Sequence, residues 1–243
     1  GRQYSQDVSL FAAILLYPRQ TKVGCFLRSM SEPQDLAAGN FSNWLRETHT
    51  ALKNDAETDV PCGECNACCR SSYFIHIKPN ELDTLSHIPD ELLFPAPGLP
   101  DGNVLMGYDE KGYCPMLKYG TCLIYDHRPA TCRSYDCRIF PATGIQISGK
   151  DKVLITQQVQ RWKFNLIEAD EIKKHKAVQK AASFLKHKSK LFPPDELPGN
   201  PTQLAIMAIK VHDLFLEQEE APLDDTKRVE AVITAGKKFD TQS

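Results

Sequence analysis

Long apolar runs are scarce in this sequence. The longest, residues 10–16, has roughly a third of the ~20 residues that a bilayer-spanning helix needs, and Tyr17-Pro18 ends it. Asp7 precedes the run and no small-x-small cleavage site follows it, so it does not resemble a secretory signal. We therefore expect a cytoplasmic protein without a membrane partner.

An excess of charge of one sign is also missing. The chain has 29 Lys and Arg against 31 Asp and Glu, a net charge of −2. No global positive field is available to attract nucleic acid. Lysines are dense on one predicted helix, where a solvated face is the simplest interpretation, although an acidic protein or RNA partner stays open. These lysines are Lys173, Lys174, Lys176, Lys180, Lys186, Lys188 and Lys190.

Common catalytic motifs are absent as well. The sequence has no serine–histidine–aspartate arrangement, no phosphate-binding loop, no H-E-x-x-H, no internal repeat and no low-complexity tract. Its composition, 42% hydrophobic and 25% charged, is that of an ordinary globular protein with a core of its own. Any function must therefore be inferred from a local site.

Cysteine is what the sequence does have. Eight of the nine cysteines lie between Cys62 and Cys137, and Cys25 stands alone, as a small buried or free thiol. Disulfides cluster mainly in small secreted chains, so without an export signal a metal site is favoured. The candidate metal ligands are Cys62, Cys65, Cys68, Cys69, Cys114, Cys122, Cys132 and Cys137.

The spacing Cys62-x-x-Cys65-x-x-Cys68-Cys69 bears on the kind of metal. Thiolates held this close repel one another, so only a cation or an iron–sulfur core makes their joint deprotonation favourable. Three cysteines at i, i+3 and i+6 with a remote fourth are typical of a 4Fe–4S cluster, whereas zinc usually takes two separated pairs. The fourth ligand stays open, as do two metal sites or a mixture of cluster and zinc. Cys69 is expected to point to a second site or to be a redox thiol.

A family resemblance follows from these residues. The cysteine run, then Cys114-Pro115-x-Leu117, Gly120-x-Cys122-x-Ile124-Tyr125-x-x-Arg128-Pro129 and Cys132-Arg133-x-Tyr135-x-Cys137, resembles the YkgJ-type CxxCxxCC cysteine-cluster family over about residues 62–140. The resemblance implies binding of zinc, iron or an iron–sulfur cluster. The family includes flagellin lysine methylases, but this sequence has no glycine-rich strand-to-helix turn for S-adenosylmethionine.

Four other polar residues are candidates near the cysteines. Arg128 and Arg133 are interpreted as cofactor-binding residues that neutralise the thiolates or hydrogen-bond the surrounding loops, with ordinary surface ion pairs as the alternative. His76 and His127 are also near cysteines in sequence, but a core or surface role is favoured over metal ligation for both.

The pattern predicts an α+β fold, a small irregular metal-nucleated domain with short antiparallel strands flanked by helices. Helical spacing from Phe41 to Leu52 after Asn40 predicts one helix. Strands are expected at 73–77, 104–108, 112–117 and 121–125, and the proline-rich residues 89–102 are expected to be a loop. A short helix from Arg128-Pro129 should carry Cys132 and reach Cys137. Further helices are expected at 170–191, from Asn200-Pro201, and at 225–235, closed by Gly236.

These elements suggest three parts and three functions. We divide the chain into an N-terminal segment and helix (1–58), to whose first residues no function is assigned, a cysteine-cluster domain (59–150) and a helical region (151–243). The favoured function is an iron–sulfur protein in redox or group-transfer chemistry, as an oxidoreductase or a methylase-like enzyme. The alternatives are a zinc-stabilised binding module for a protein or RNA partner and a metal chaperone.

Overall fold

The computed structural model describes residues 34–54, 56–58, 60, 64–216 and 224–241. All of them belong to one compact unit, residues 33–243. The predictions made for residues 10–16, for Cys25 and for Cys62 lie outside the described residues. Within the described part of the chain, no helix is both long and apolar enough to span a bilayer.

Helices dominate and the strands are short, which confirms the α+β class. The helices are α1 (Phe41–Asn54), α2 (Leu82–Ser86), α3 (Ala130–Ser134), α4 (Ile139–Thr143), α5 (Val153–Arg161), α6 (Ala169–His187), α7 (Pro201–Val211) and α8 (Asp225–Thr241). The strands are β1 (Leu36–Asn40), β2 (Ile75–Ile77), β3 (Leu93–Pro95), β4 (Val104–Met106), β5 (Leu117–Lys118), β6 (Thr121–Cys122) and β7 (Trp162–Asn165).

Two helix starts confirm the capping signals in the sequence. The Asn40 side-chain oxygen accepts a hydrogen bond from the Asn43 amide at 2.9 Å at the start of α1. The Asn200 oxygen accepts one from the Gln203 amide, also at 2.9 Å, at the start of α7, where Pro201 occupies the first turn. Each cap pairs an amide that the helix itself leaves without a partner.

The strands form three small sheets. β2, β4 and β3 make an antiparallel sheet in that order, β5 and β6 make a hairpin, and β1 pairs with β7 in parallel. The expected loop over 89–102 was therefore wrong in part, because β3 lies within it. Pro95 is tolerated there because β3 is an edge strand, where a missing amide donor need not break a ladder bond.

The strand expected at 112–117 is present only from Leu117, in β5, and three helix boundaries also differ from those expected. The helix at Pro129 ends at Ser134, so Cys137 lies beyond it, between α3 and α4. α6 ends at His187, earlier than expected. α8 passes through Gly236 to Thr241 instead of ending there, because Gly236 is buried inside the helix and its backbone does not adopt a positive φ.

Two hydrophobic cores position the cysteines. The larger core draws on α1, α4, α5, α6, α7 and α8 and includes Cys137, with Cys65 and Cys68 packed at its margin. The smaller core forms around Ile77, Met106, Met116 and Ile124, and Cys114 and Cys122 pack against it. Apolar burial of this kind is the main driving force for folding, so the cysteines are fixed by two separate packed surfaces. The three-part division of the chain stays a prediction.

The lysine-rich helix α6 has a buried apolar face and a solvated polar face. Its buried face is made mostly of alanines and Leu185. Lys174 pairs with Asp170 at 2.6 Å and Lys188 pairs with Asp225 of α8 at 2.6 Å. These exposed pairs are what a solvated helix face provides.

Candidate metal centre

Hydrogen bonds join the cysteine loop to the β5–β6 hairpin and to Cys114 just before it. Cys68 and Cys69 begin a 3₁₀ turn, Cys68–Arg70, and the buried hydroxyl of Ser71 donates to the Ala67 carbonyl at 2.6 Å. The Cys114 amide donates to the Cys69 carbonyl at 2.7 Å. The Asn66 side-chain amide donates to the Gly120 carbonyl at the hairpin turn at 3.0 Å. Cys69 is thereby held beside Cys114.

The hairpin presents two sulfurs to backbone donors. The Leu117 amide donates to the Cys114 carbonyl at 2.9 Å. Backbone hydrogen bonding from Met116 acts on the Cys114 thiol, and that from Ile124 acts on the Cys122 thiol. These hydrogen bonds lower the pKa of each thiol against the larger opposing effect of burial. Backbone N–H groups aimed at sulfur favour the thiolate, the form that binds metal.

Four cysteines interact electrostatically as one set, which we call the hairpin group: Cys69, Cys114, Cys122 and Cys132. Burial, and to a smaller extent the other three thiols, raise the pKa of Cys132 to about 12. Burial, with smaller effects of Cys69 and Cys122, likewise raises the pKa of Cys114 to about 11. Mutual repulsion of this kind is what a bound cation would relieve.

The charge state of Cys69 bears on its predicted role. The hydrogen bond with Cys68 and burial raise the pKa of Cys69 well above its usual range. A redox-active thiol needs a lowered pKa, because the thiolate is the nucleophile. A metal ligand is a thiolate as well, so the raised pKa bears equally on the two roles expected for Cys69, and both stay predictions.

The remaining described cysteines form the core group: Cys65, Cys68 and Cys137. Cys137 is buried, and the Trp162 indole N–H donates to its sulfur at 3.2 Å. Burial raises the pKa of the paired Tyr73 and Tyr135 hydroxyls, and the charges of Cys68 and Cys137 raise both further. Cys68 and Cys137 therefore face the same tyrosine pair, although they are far apart in sequence.

The core group and the hairpin group meet at Cys68 and Cys69, which are adjacent in sequence. The sulfurs of Cys68 and Cys69 are 3.9 Å apart, and all seven described cysteines are free of disulfides. No three sulfurs among these seven lie within 4.8 Å of one another.

A buried ion pair flanks Cys137 and was not foreseen from the sequence. Asp136 accepts hydrogen bonds from the Trp44 indole at 2.8 Å and from the Arg138 guanidinium at 2.8 and 3.0 Å. Arg138 also donates to the Ala38 carbonyl of β1 at 3.3 Å. The pair therefore fixes the backbone on both sides of Cys137 to α1 and β1. No sequence signal beyond the D-C-R order marks it.

The two arginines occupy different surroundings. The positive charge of Arg128 lowers the pKa of Cys69, Cys122 and Cys132, opposing the larger effects that raise them. Its guanidinium stacks on the Tyr125 ring at 3.7 Å. Arg133 instead pairs with Glu57 at 2.6 Å and donates to the Arg128 carbonyl. Arg128 thus acts on the thiols directly, whereas Arg133 braces the loop that carries Arg128.

Replacing Arg128 with alanine is expected to weaken metal retention by the hairpin group about 10- to 100-fold, the usual effect of losing a supporting partner of a metal ligand. The reason is that three thiolates lose a nearby positive charge. Competition with a coloured chelator measures the change. The control is Arg46→Ala, whose guanidinium bonds only to Asn43 among the contacts found in the described residues. Equal retention by the two variants would refute the assignment.

The two histidine candidates differ from each other. His76 Nε2 hydrogen-bonds with the Asn103 side chain at 2.8 Å. His127 lies with Asp83 and His87, and these three have ligand atoms within 4.8 Å of one another. The sequence pointed to His127 but not to its two partners. Asp83 and His87 were detectable as an i, i+4 pair on α2, but His127 is far from them in sequence.

The comparison with known families agrees with this geometry. Residues 61–161 match the CxxCxxCC family, described as "Putative zinc- or iron-chelating domain". The match confirms the resemblance inferred from the cysteines over this part of the chain. No curated protein and no solved structure matches the chain. The family description supports metal binding and does not specify which metal.

Proposed function

We propose that this protein is a two-centre metal protein in which one centre is a 4Fe–4S cluster used for redox chemistry. The core group, completed by Cys62 on the basis of its sequence spacing, would hold the cluster. The hairpin group would hold the second metal. The observation that carries the proposal is that Cys65, Cys68 and Cys137 pack at the larger core, whereas Cys114 and Cys122 pack at the smaller one and interact electrostatically with Cys69 and Cys132.

The choice of a cluster for the core group rests on ligand order and spacing. Cys62, Cys65 and Cys68 have the i, i+3, i+6 order typical of cluster loops, and Cys137 is the distant cysteine that shares their surroundings. A cluster bound there would supply one-electron transfer, while Trp162 and the tyrosine pair would exclude water from it.

Redox use is supported by the contact between the two groups. Cys68 and Cys69 are neighbours in sequence with sulfurs 3.9 Å apart, so centres on either side of this pair would be close together. Hydrogen bonds to sulfur and burial are the features by which proteins set cluster potentials, and Cys137 has both. The electron donor or acceptor would be a protein partner.

A second candidate function is a zinc-stabilised binding module. It is favoured by the hairpin, where metal-bound Cys114 and Cys122 would hold a tip with exposed apolar side chains. Tyr119 is fully exposed, and Leu123 and Tyr125 are more than half exposed. Such residues are common at protein interfaces. In this case both centres would be zinc and neither would change oxidation state.

Anaerobic purification followed by absorption spectroscopy and elemental analysis distinguishes the two functions. The proposal predicts a brown protein with iron and acid-labile sulfide in equal amounts and a spectrum that bleaches on reduction. A colourless protein with two zinc ions per chain would refute the redox proposal and support the zinc-stabilised binding module. A colourless protein with rapidly exchanging metal would instead indicate a metal chaperone.

Replacing Trp162 with phenylalanine is expected to lower the midpoint potential of the cluster, because the N–H bond to the Cys137 sulfur favours the reduced, more negative state. Redox titration followed by absorption measures the shift. Trp44→Phe is the matched control, since Trp44 is equally buried but donates to Asp136 instead. Equal potentials in the two variants would contradict a ligand role for Cys137.

A further inference from the structure

Asp83, His87 and His127 form a cluster outside both cysteine groups. Asp83 and His87 lie on α2 and at its end, and His127 lies in the 3₁₀ turn Tyr125–His127. The two imidazole rings stack with centroids 3.7 Å apart and planes 8° apart. Two separate segments therefore bring two imidazoles and a carboxylate together at the surface.

The hydrogen bonds of Asp83 define the tautomers of both histidines. His87 Nδ1 is 2.8 Å from the Asp83 carbonyl, and His127 Nδ1 is 2.8 Å from the Asp83 carboxylate. A carbonyl or an ionised carboxylate only accepts, so each Nδ1 carries the proton and donates it. In each neutral ring the lone pair is then on Nε2. Metal-binding histidines in proteins are held in this way, by a carbonyl or carboxylate at the other nitrogen.

Exposure and charge leave the cluster accessible to an ion. The side chains of His87 and His127 are 40% and 38% exposed, and that of Asp83 is 71% exposed. Hydrogen bonding to His127 lowers the pKa of Asp83, as the contact between its carboxylate and His127 Nδ1 requires. Arg133 is a nearby positive charge that would repel a metal cation, and its guanidinium is paired with Glu57.

We propose that His87 and His127 bind a divalent transition-metal ion through Nε2, with Asp83 as the residue that positions both rings. Imidazole nitrogens suit Zn²⁺, Ni²⁺ and Co²⁺, and two protein ligands leave positions for water, so the ion is exchangeable. The lone pair lies in the plane of its ring. Binding one ion therefore requires the two nearly parallel rings to open, and their exposure leaves room for this.

Cobalt titration of the purified protein with its cysteine centres filled tests this site independently of them. We expect one equivalent of Co²⁺ to give visible d–d bands without thiolate-to-cobalt charge transfer. His87→Ala and His127→Ala should each weaken this binding at least about tenfold. His127→Gln keeps a donor for Asp83 but has no imidazole, and should lose binding while keeping the wild-type thermal unfolding midpoint.

The matched control is His187→Ala. His187 Nδ1 also contacts the carbonyl four residues earlier, that of Ser183, at 2.8 Å, but no stacked histidine or carboxylate accompanies it in the described part of the chain. Its replacement should leave the Co²⁺ affinity unchanged. The proposal is overturned if wild type takes up no cobalt at neutral pH. It is also overturned if the histidine variants bind as wild type does, or if the bound cobalt shows only thiolate charge-transfer bands that the variants retain.

Discussion

On the two-centre proposal, replacing Cys132 with serine should remove one metal centre and leave the other in place, whereas Cys137→Ser should do the reverse. Cys132 interacts with Cys69, Cys114 and Cys122, while Cys137 shares the main core with Cys65 and Cys68. A serine hydroxyl stays protonated at neutral pH and cannot replace a thiolate. Structural zinc in small domains contributes on the order of 10 kcal/mol to apparent binding, so the variant should also lose much of its stability.

Metal content and absorption of the two variants, purified without oxygen, check this expectation. Cys132→Ser should keep the iron chromophore and lose the second metal, and Cys137→Ser should lose the chromophore. Cys25→Ser is the control, because Cys25 lies outside the cysteine-rich segment of the sequence. Loss of both metals in each variant would mean that the eight thiols form a single interdependent centre, contrary to the two groups described above.

Replacing Asp136 with alanine should cost about 3–5 kcal/mol, the usual cost of leaving a buried charge without its partner. Asp136 is 5% exposed and accepts hydrogen bonds from Trp44 and from Arg138. Its loss leaves a buried guanidinium without its carboxylate. Since the pair fixes the chain around Cys137, occupancy of the core group should fall with the free energy of unfolding.

Anaerobic denaturation with metal analysis at each step measures both effects. The surface pair of Arg133 and Glu57 provides the comparison, because the Glu57 side chain is 66% exposed and exposed pairs contribute at most about 1 kcal/mol. Asp136→Asn keeps the shape without the charge and should lie between the two. If Asp136→Ala costs no more than Glu57→Ala, the ion pair does not support the site.

The sequence predicted those helix starts that depend on contacts between residues close together in the chain. The α1 and α7 starts follow from Asn40 and Asn200, whose side chains pair with amides three residues away. The missed elements depend on distant partners. β3 forms despite Pro95 because β4 pairs with it, and α8 continues through Gly236 because the helix is packed against the core there.

The same distinction between local signals and long-range contacts applies to the metal site. Cysteine spacing predicted a metal centre, and the family match supports metal binding. Spacing cannot divide eight thiols into sets, because Cys68 and Cys69 are adjacent and yet belong to different groups. That division depends on which core Cys137, Cys114 and Cys122 pack against, and on the electrostatic contacts of Cys69 and Cys132. Asp136, Arg138 and Trp162 were missed for the same reason, since their roles come from long-range contacts with Trp44 and Cys137.

Native mass spectrometry of protein purified without oxygen tests most directly whether the cysteines hold metal. The account predicts an intact mass above that of the polypeptide by the mass of the bound metals. After acid release and denaturation, all eight cysteines between Cys62 and Cys137 should react with an alkylating reagent. A native mass equal to that of the polypeptide less two hydrogens for each bridged pair, with thiols that resist alkylation until reduced, would contradict it.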